Sequence, residues 1–357
     1  MRELERLPGR KVWIDCDNSP HVLYLKPFVK AARKKGLSVV LTARNVPEIV
    51  ELCRLHRLDA RFFGKYPPRM KFFKILTTIT RALKLYFYFR KQDIAFSISS
   101  SRSCVIASFL MKVKSFAIID FEHAELGIYA RTGTYLIVPS VIPVELFEKL
   151  GIPGSRLIRF QGLKEHFYLV NNYPFLSNEE LGLPFDREEV VAVVRPERKN
   201  AHYRTRKTEK LENELYKAFS RVKGVRFIFI PRDWKQRSQV KRIISGISIN
   251  GLVLDSALDG PSLIRNADLV FSGGGTMLRE SAALGTPAYS YFGGKICSVD
   301  EYLINKGLLT HLNGKKDIDA IRWEKKKYQK NQLITSAQKN QVEDIFKQIL
   351  RKAIKKL

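Results

Sequence analysis

Carboxylates are in short supply in this 357-residue chain, where 35 Asp+Glu face 63 Lys+Arg and leave a formal net charge of +28. Such a surface favours polyanionic partners: phosphate-bearing substrates, nucleic acid or an anionic membrane face. Cysteine is scarce too. Cys16, Cys53, Cys104 and Cys297 are scattered with no CxxC spacing, which argues against a zinc site and a disulfide framework and fits a reducing cytoplasm. No run reaches the roughly 18 uninterrupted apolar residues of a membrane span. The start, "MRELERLPGRK", is charged where a signal peptide needs an apolar core, so neither secretion nor membrane integration is expected. Several motifs are also missing. There is no G-x-S-x-G elbow, hence no serine nucleophile, and no H-E-x-x-H or suitably placed acidic pair, hence no metal and no cofactor. RNP, KH, zinc-finger and helix-turn-helix patterns are lacking as well, so nucleic acid is not the expected partner.

What is present is ample apolar material, 45% of residues with 11% aromatic, enough for two ordinary cores. Apolar runs of strand length alternate with stretches of helical length, the pattern of parallel βαβ units. "KVWIDC", "LSVVLTA", "IAFSISS", "SFAIID" and "TYLIVPS" read as strands of a first series, and "EVVAVVRP", "VRFIFIPR", "GLVLD" and "ADLVFSGGG" as strands of a second. The Asn-, Pro- and Gly-bearing stretch near residues 165 to 185 is the expected linker. This gives an α/β protein with an N-terminal Rossmann-like domain over 10–167 and a C-terminal one over 168–335. Residues 336–357 close the chain with a basic helix that keeps Val342, Ile345, Phe346, Ile349 and Leu350 at helical spacing.

"ADLVFSGGGTMLRESAALG" runs strand, Ser272-Gly273-Gly274-Gly275-Thr276, then helix. Glycines let an anion approach the backbone at a helix N-terminus, where N–H groups and the dipole favour negative charge. The Thr276 hydroxyl can add a hydrogen bond, and Glu280 can reach the hydroxyls of a ribose. The bland alternative is a tight strand-to-helix turn with a structural glutamate.

"SGGGTMLRESAALGTPA" resembles the nucleotide-sugar signature of GT-B glycosyltransferases and of the non-hydrolysing UDP-N-acetylglucosamine 2-epimerases. "WIDCDNSPHV", "GLKEHFYL", "VRPERKNAHY" and "PRDWKQR" are more closely similar to a family of archaeal and bacterial proteins of unknown function grouped with the GT-B enzymes, a likeness spanning roughly residues 11 to 320. The resemblance implies a GT-B-like fold of two Rossmann-like domains facing across a cleft. It implies that Gly273, Gly274, Gly275 and Thr276, with Ser272, line a diphosphate and that Glu280 holds the ribose. Arg195 and Arg232, at the ends of C-domain strands, are placed to clamp phosphate bidentately, and His202 in the basic loop nearby is a further donor ligand.

Two N-domain stretches are candidate chemistry. In "DCDNSPHV", Asp15, Asn18 and Ser19 lie in the loop expected to face donor and acceptor, and His21 is a candidate general base; helix capping by Asp17, Asn18 or Ser19 competes. In "IIDFEHAELG", Asp120, Glu122 and His123 gather at a strand end, where any of them can deprotonate an acceptor hydroxyl; helix capping together with a buried ion pair competes. The 2-epimerases carry a "HVEAGLR" stretch here, and the departure from it counts against epimerisation. Ser100 and Ser101, at another strand end, can bond a sugar or phosphate, or cap a helix.

The stretch "GKYPPRMKFFKILTTITRALKLYFYFRKQ" interleaves Phe72 and Phe73 with Lys71, Lys74, Arg81 and Lys84 and has no acid before Asp93. It reads as an amphipathic membrane-surface element, or else as a core helix with a solvated basic face. Together these features lead to an expected metal-independent glycosyltransferase. It moves a sugar from a nucleotide sugar, UDP-linked, to a membrane-associated glycan or glycolipid at the inner face of the membrane. The rivals are a nucleotide-sugar 2-epimerase and a non-catalytic protein that binds anionic glycan or nucleic acid.

Overall fold

The computed structural model describes residues 11–66, 70–170, 173–183, 188–197, 205–256, 258–327 and 336–354. They divide into two compact units, one taking the described residues up to 170 together with 336–354, the other those from 173 to 327.

The first unit is a seven-stranded sheet, every strand parallel to its neighbours, in the order β3-β2-β1-β4-β5-β6-β7. The strands are β1 (Lys11–Cys16), β2 (Ser38–Ala43), β3 (Arg61–Phe62), β4 (Ile94–Ser99), β5 (Lys114–Ile118), β6 (Tyr135–Pro139) and β7 (Leu157–Phe160). Helices cover both faces, so β4 is buried along its whole length and reads as a near-continuous apolar run. α1 (Ser19–Lys34) leaves β1, with Pro20 in its first turn and Gly36 at φ +75 just beyond it. α2 (Pro47–Leu55), α3 (Lys71–Phe89), α4 (Arg102–Leu110), α5 (Gly127–Arg131), α6 (Val144–Glu148) and α7 (His166–Leu169) follow.

The second unit holds a six-stranded parallel sheet in the order β10-β9-β8-β11-β12-β13. It is built from β8 (Val190–Arg195), β9 (Val225–Phe229), β10 (Gly251–Val253), β11 (Leu269–Ser272), β12 (Ala288–Ser290) and β13 (Thr310–His311). Its core packs Phe219, Phe227, Phe229 and Phe271 with Trp323 beside them, ring against ring at 4.4 to 6.4 Å. The connecting helices are α8 (Arg206–Phe219), α9 (Trp234–Gly246), α10 (Gly260–Asn266), α11 (Thr276–Leu284), α12 (Ser298–Asn305) and α13 (Lys315–Asp319).

The chain ends in α14 (Ser336–Lys339) and α15 (Gln341–Ile354), which belong to the first unit. α15 buries Val342, Ile345, Phe346, Ile349 and Leu350, leaves Glu343, Asp344 and Lys347 exposed, and packs on α1 and β7, with the Phe346 ring 6.1 Å from that of Phe96. Both sheets reverse their winding once. The switch falls between β1 and β4 in one unit and between β8 and β11 in the other, and ligands of open α/β sheets bind beyond the carboxyl ends of strands at such a point.

Candidate functional site

At the switch point of the second unit, Ser272 at the end of β11 is the register partner of Arg195 at the end of β8. The expected glycine turn and one expected arginine are therefore neighbours. Ser272 is buried and its hydroxyl donates to the carbonyl of Gly274 at 3.1 Å, closing the turn on itself. Each glycine has its own reason. A Cβ at position 273 would come within 3.0 Å of the Glu197 Cβ and Cγ atoms. Gly274 stands at φ +108, and Gly275, the residue before α11, at φ +96 and ψ −165, a region essentially reserved for glycine. Space beside Gly275 is open, with no atom within 4 Å of where a Cβ would stand. Thr276 then opens α11, so helix N–H groups and the positive dipole end lie at this turn.

Hydrogen bonds tie the surrounding strand ends together. The Tyr291 hydroxyl donates to the Arg195 carbonyl at 2.9 Å. The Gln236 side chain joins two strand ends, donating to the Glu197 carbonyl and accepting from the Arg232 N–H, both at 2.8 Å. Arg232 thus sits at the β9 end, two strands from the glycine turn in the sheet order. Glu280, in the second turn of α11, is almost wholly buried. Burial, then the charges of Asp259 and Glu280, push the Tyr173 phenol upward, and its hydroxyl donates to Asp259. His202 lies outside the described residues.

In the first unit the switch point gathers a different set. Asp15 belongs to β1 itself and is fully buried, where it accepts bidentately from Arg81 at 2.7 and 2.9 Å and from the Thr42 hydroxyl at 2.6 Å. Arg81 was expected among the surface cations; it is buried instead, its remaining donors given to the Phe63 carbonyl and the Ser101 hydroxyl. Asp15 likewise serves this pair and not a ligand-facing loop, because an arginine drawn inside must be paired. Asp17 takes the outer position, bonded to Arg44 at 2.6 Å; burial opposes its charge, but Arg81 and Arg44 prevail and hold its carboxyl below the usual range.

Asn18 precedes α1 in extended conformation, but no side chain caps that helix. The Asp17 N–H goes to His21 Nδ1 at 3.1 Å instead. Burial drives the His21 pKa down to about 4, so the ring is neutral at neutral pH and its proton is on Nε2. The lone pair a general base would use is occupied. In this geometry His21 suits hydrogen-bond donation through Nε2 and not proton abstraction. Ser19 is the first residue of α1, and Ser100 donates to the Ile118 carbonyl and accepts from the Tyr24 hydroxyl at 2.8 Å. Ser101 caps α4, accepting from the Cys104 N–H.

Asp120, two residues beyond β5, meets Lys164, which also pairs with the buried Glu165 at 2.6 Å. The Lys164 ammonium lies 5.9 Å from the centroid of the Tyr24 ring, so Asp120, Lys164, Glu165 and Tyr24 form one polar centre. Glu122 is half-buried and His123 is exposed, its ring 5.4 Å from that of Phe121. Lys164 and Glu165 complete this centre. The clue was "GLKEHFYL", which places opposite charges side by side just after a strand.

On α3, Phe72, Phe73 and Lys84 are exposed and Lys74 is half-buried. The side chain of Lys71 lies outside the described residues.

Residues 10–356 match the family described as "Protein of unknown function (DUF354)". The chain belongs to this family. A curated relative, the uncharacterized protein MJ0665 of Methanocaldococcus jannaschii, is 28% identical over 318 residues, 86% of this chain and 89% of its own. Among solved structures, the UDP-GlcNAc 2-epimerase of Methanocaldococcus jannaschii, in complex with UDP-GlcNAc and UDP, superposes with a TM-score of 0.71 at 12% identity, covering 96% of this chain and 99% of its own. The spinosyn forosaminyltransferase SpnP superposes at 0.56 and 13% identity, covering 97% and 94%. At such identities the likeness fixes the fold: two Rossmann-like α/β units of the GT-B kind, shared by this chain and these two enzymes.

Proposed function

We propose that this protein is a glycosyltransferase that uses a nucleoside diphosphate sugar, UDP-linked, and passes the sugar to a membrane-associated glycan or glycolipid acceptor in cell-envelope polysaccharide synthesis. The observation that carries the reading is the register pairing of Arg195 with Ser272, which brings an arginine's backbone position next to the strand that runs into a glycine turn and a helix N-terminus at the switch point. A diphosphate there meets backbone N–H groups, the α11 dipole and Arg195 with Arg232, which stabilise the departing nucleotide without a metal. The names of the two enzymes of like fold, one with UDP-GlcNAc bound and one a sugar transferase, support the donor class.

The acceptor hydroxyl is assigned to the first unit. Asp120 is the base in this reading: its carboxylate is held by Lys164, which orients it, and His21 donates Nε2–H to an acceptor oxygen. The protein works from the cytoplasmic side of the membrane, where nucleotide sugars are consumed.

The test is incubation with UDP-, GDP-, dTDP- and CMP-sugars, with and without an acceptor membrane fraction, following nucleotide release and the sugar by NMR. Release that needs the acceptor supports the transferase. Interconversion of the sugar without acceptor makes the protein a 2-epimerase, and binding of glycan without turnover of any donor makes it a carrier.

A further inference from the structure

α3 carries an apolar face that its own unit does not cover. Phe72, Ile75, Leu76, Ile79, Leu83 and Phe87 are all exposed, Phe72 at 69% and Phe87 at 61%. At about 100° per residue they fall within a stripe roughly 120° wide along the 19-residue helix. The opposite side is already engaged. Ala82, Leu85 and Phe89 are buried, the Phe89 ring lies 4.4 Å from that of Trp13, and Arg81 stands about 180° round the helix from Phe72. Because Arg81 is locked to Asp15, the helix cannot roll to hide the stripe without extracting a paired guanidinium from the interior. The exposed face therefore needs an occupant from outside this unit.

Charge decides which. From Ala60 to Gln92 the sequence has no carboxylate and nine Lys+Arg. Lys84 is exposed beside the stripe, Arg90 and Lys91 are exposed at its C-terminal end, and the Arg90 guanidinium lies 5.2 Å over the Phe87 ring. A second copy of the chain would bring these cations against their own kind, with +28 on each molecule. An anionic surface that also accepts apolar side chains is the interfacial zone of a bilayer. No described helix is long and apolar enough to cross a membrane, and an amphipathic helix of this kind would lie along the interface instead of spanning it.

We infer that the outer face of α3 is a docking surface for anionic membranes, with Phe72, Ile79 and Phe87 entering the interface and Lys84, Arg90 and Lys91 meeting acidic headgroups. The inference goes beyond the donor site and stands without it.

The experiment is co-sedimentation of the full chain with vesicles of phosphatidylcholine containing one-third phosphatidylglycerol, against pure phosphatidylcholine, with no nucleotide sugar present. Binding to the anionic vesicles, weakened roughly tenfold by Phe72→Ser, Ile79→Ser and Phe87→Ser combined, is expected, because both apolar and ionic contacts contribute. A charge variant, Lys84→Glu with Arg90→Glu, should lose the preference for anionic over neutral vesicles. Unchanged binding of the apolar variant would mean that the basic surface as a whole, and not this face, holds the membrane. Concentration-dependent dimers that the apolar variant abolishes would make the occupant a second copy, and absence of binding by the parent would also overturn the inference.

Discussion

Arg81 lies in the middle of a basic, aromatic stretch, yet its guanidinium bonds Asp15 at the heart of the first sheet. Removing one member of such a pair leaves a buried charge uncompensated, so Arg81→Met is expected to lower stability by about 3–5 kcal/mol, read from urea denaturation. The pairing was not legible in the sequence because its partners are 66 positions apart and the helix is apolar on two sides. Lys164 was hidden for the same reason, its partner Asp120 standing 44 positions away. The glycines, by contrast, were legible, since positive φ and close approach at 273 to 275 demand them locally. The buried histidines make a pH prediction. His21 and His166 are both pushed by burial from an ordinary 6.5 to about 4. Between those values the unfolded chain binds more protons than the folded one, so stability is full above about pH 6.5 and falls as pH drops towards 4, by up to about 3 kcal/mol per histidine. In His166→Gln the melting temperature should fall less steeply over that interval than in the parent; an identical slope would show that His166 does not contribute.

At the scale of elements, the strands β1, β4, β6 and β8 lie where continuous apolar runs put them, to within one or two residues. β3, β12 and β13 escaped because two or three residues cannot establish a period, and only their neighbours in the sheet define them. The turn into α11 shows how local conformation is set by one residue type. Gly275→Ala is expected to cost about 1–3 kcal/mol, since alanine must adopt a backbone region that glycine alone enters freely. Thermal unfolding measures it. α15 makes the complementary case, where packing decides: Phe346→Ala opens a cavity against α1 and Phe96 and should cost about 3–5 kcal/mol, detected as faster amide exchange in β1 and β4.

For the whole molecule, a net charge of +28 and two parallel sheets, each with a switch point, form a consistent set. A basic chain attracts phosphate-bearing ligands, and a switch point is where an α/β sheet binds them. The family and fold were legible because the glycine signature and the strand-end motifs are local in sequence. The polar centre of the first unit was only partly so, since Tyr24, Asp120, Lys164 and Glu165 come together from distant stretches of the chain. The central claim is that the turn at Gly273 to Thr276 holds a nucleoside diphosphate, and calorimetric titration with UDP tests it most directly. Saturable binding to the parent chain is expected, weakened roughly tenfold or more both in Gly275→Asp, which sets a carboxylate at the helix N-terminus where phosphate would lie, and in Glu280→Ala. UDP bound equally by folded parent and both variants, or no nucleotide bound by the folded parent at all, would contradict it.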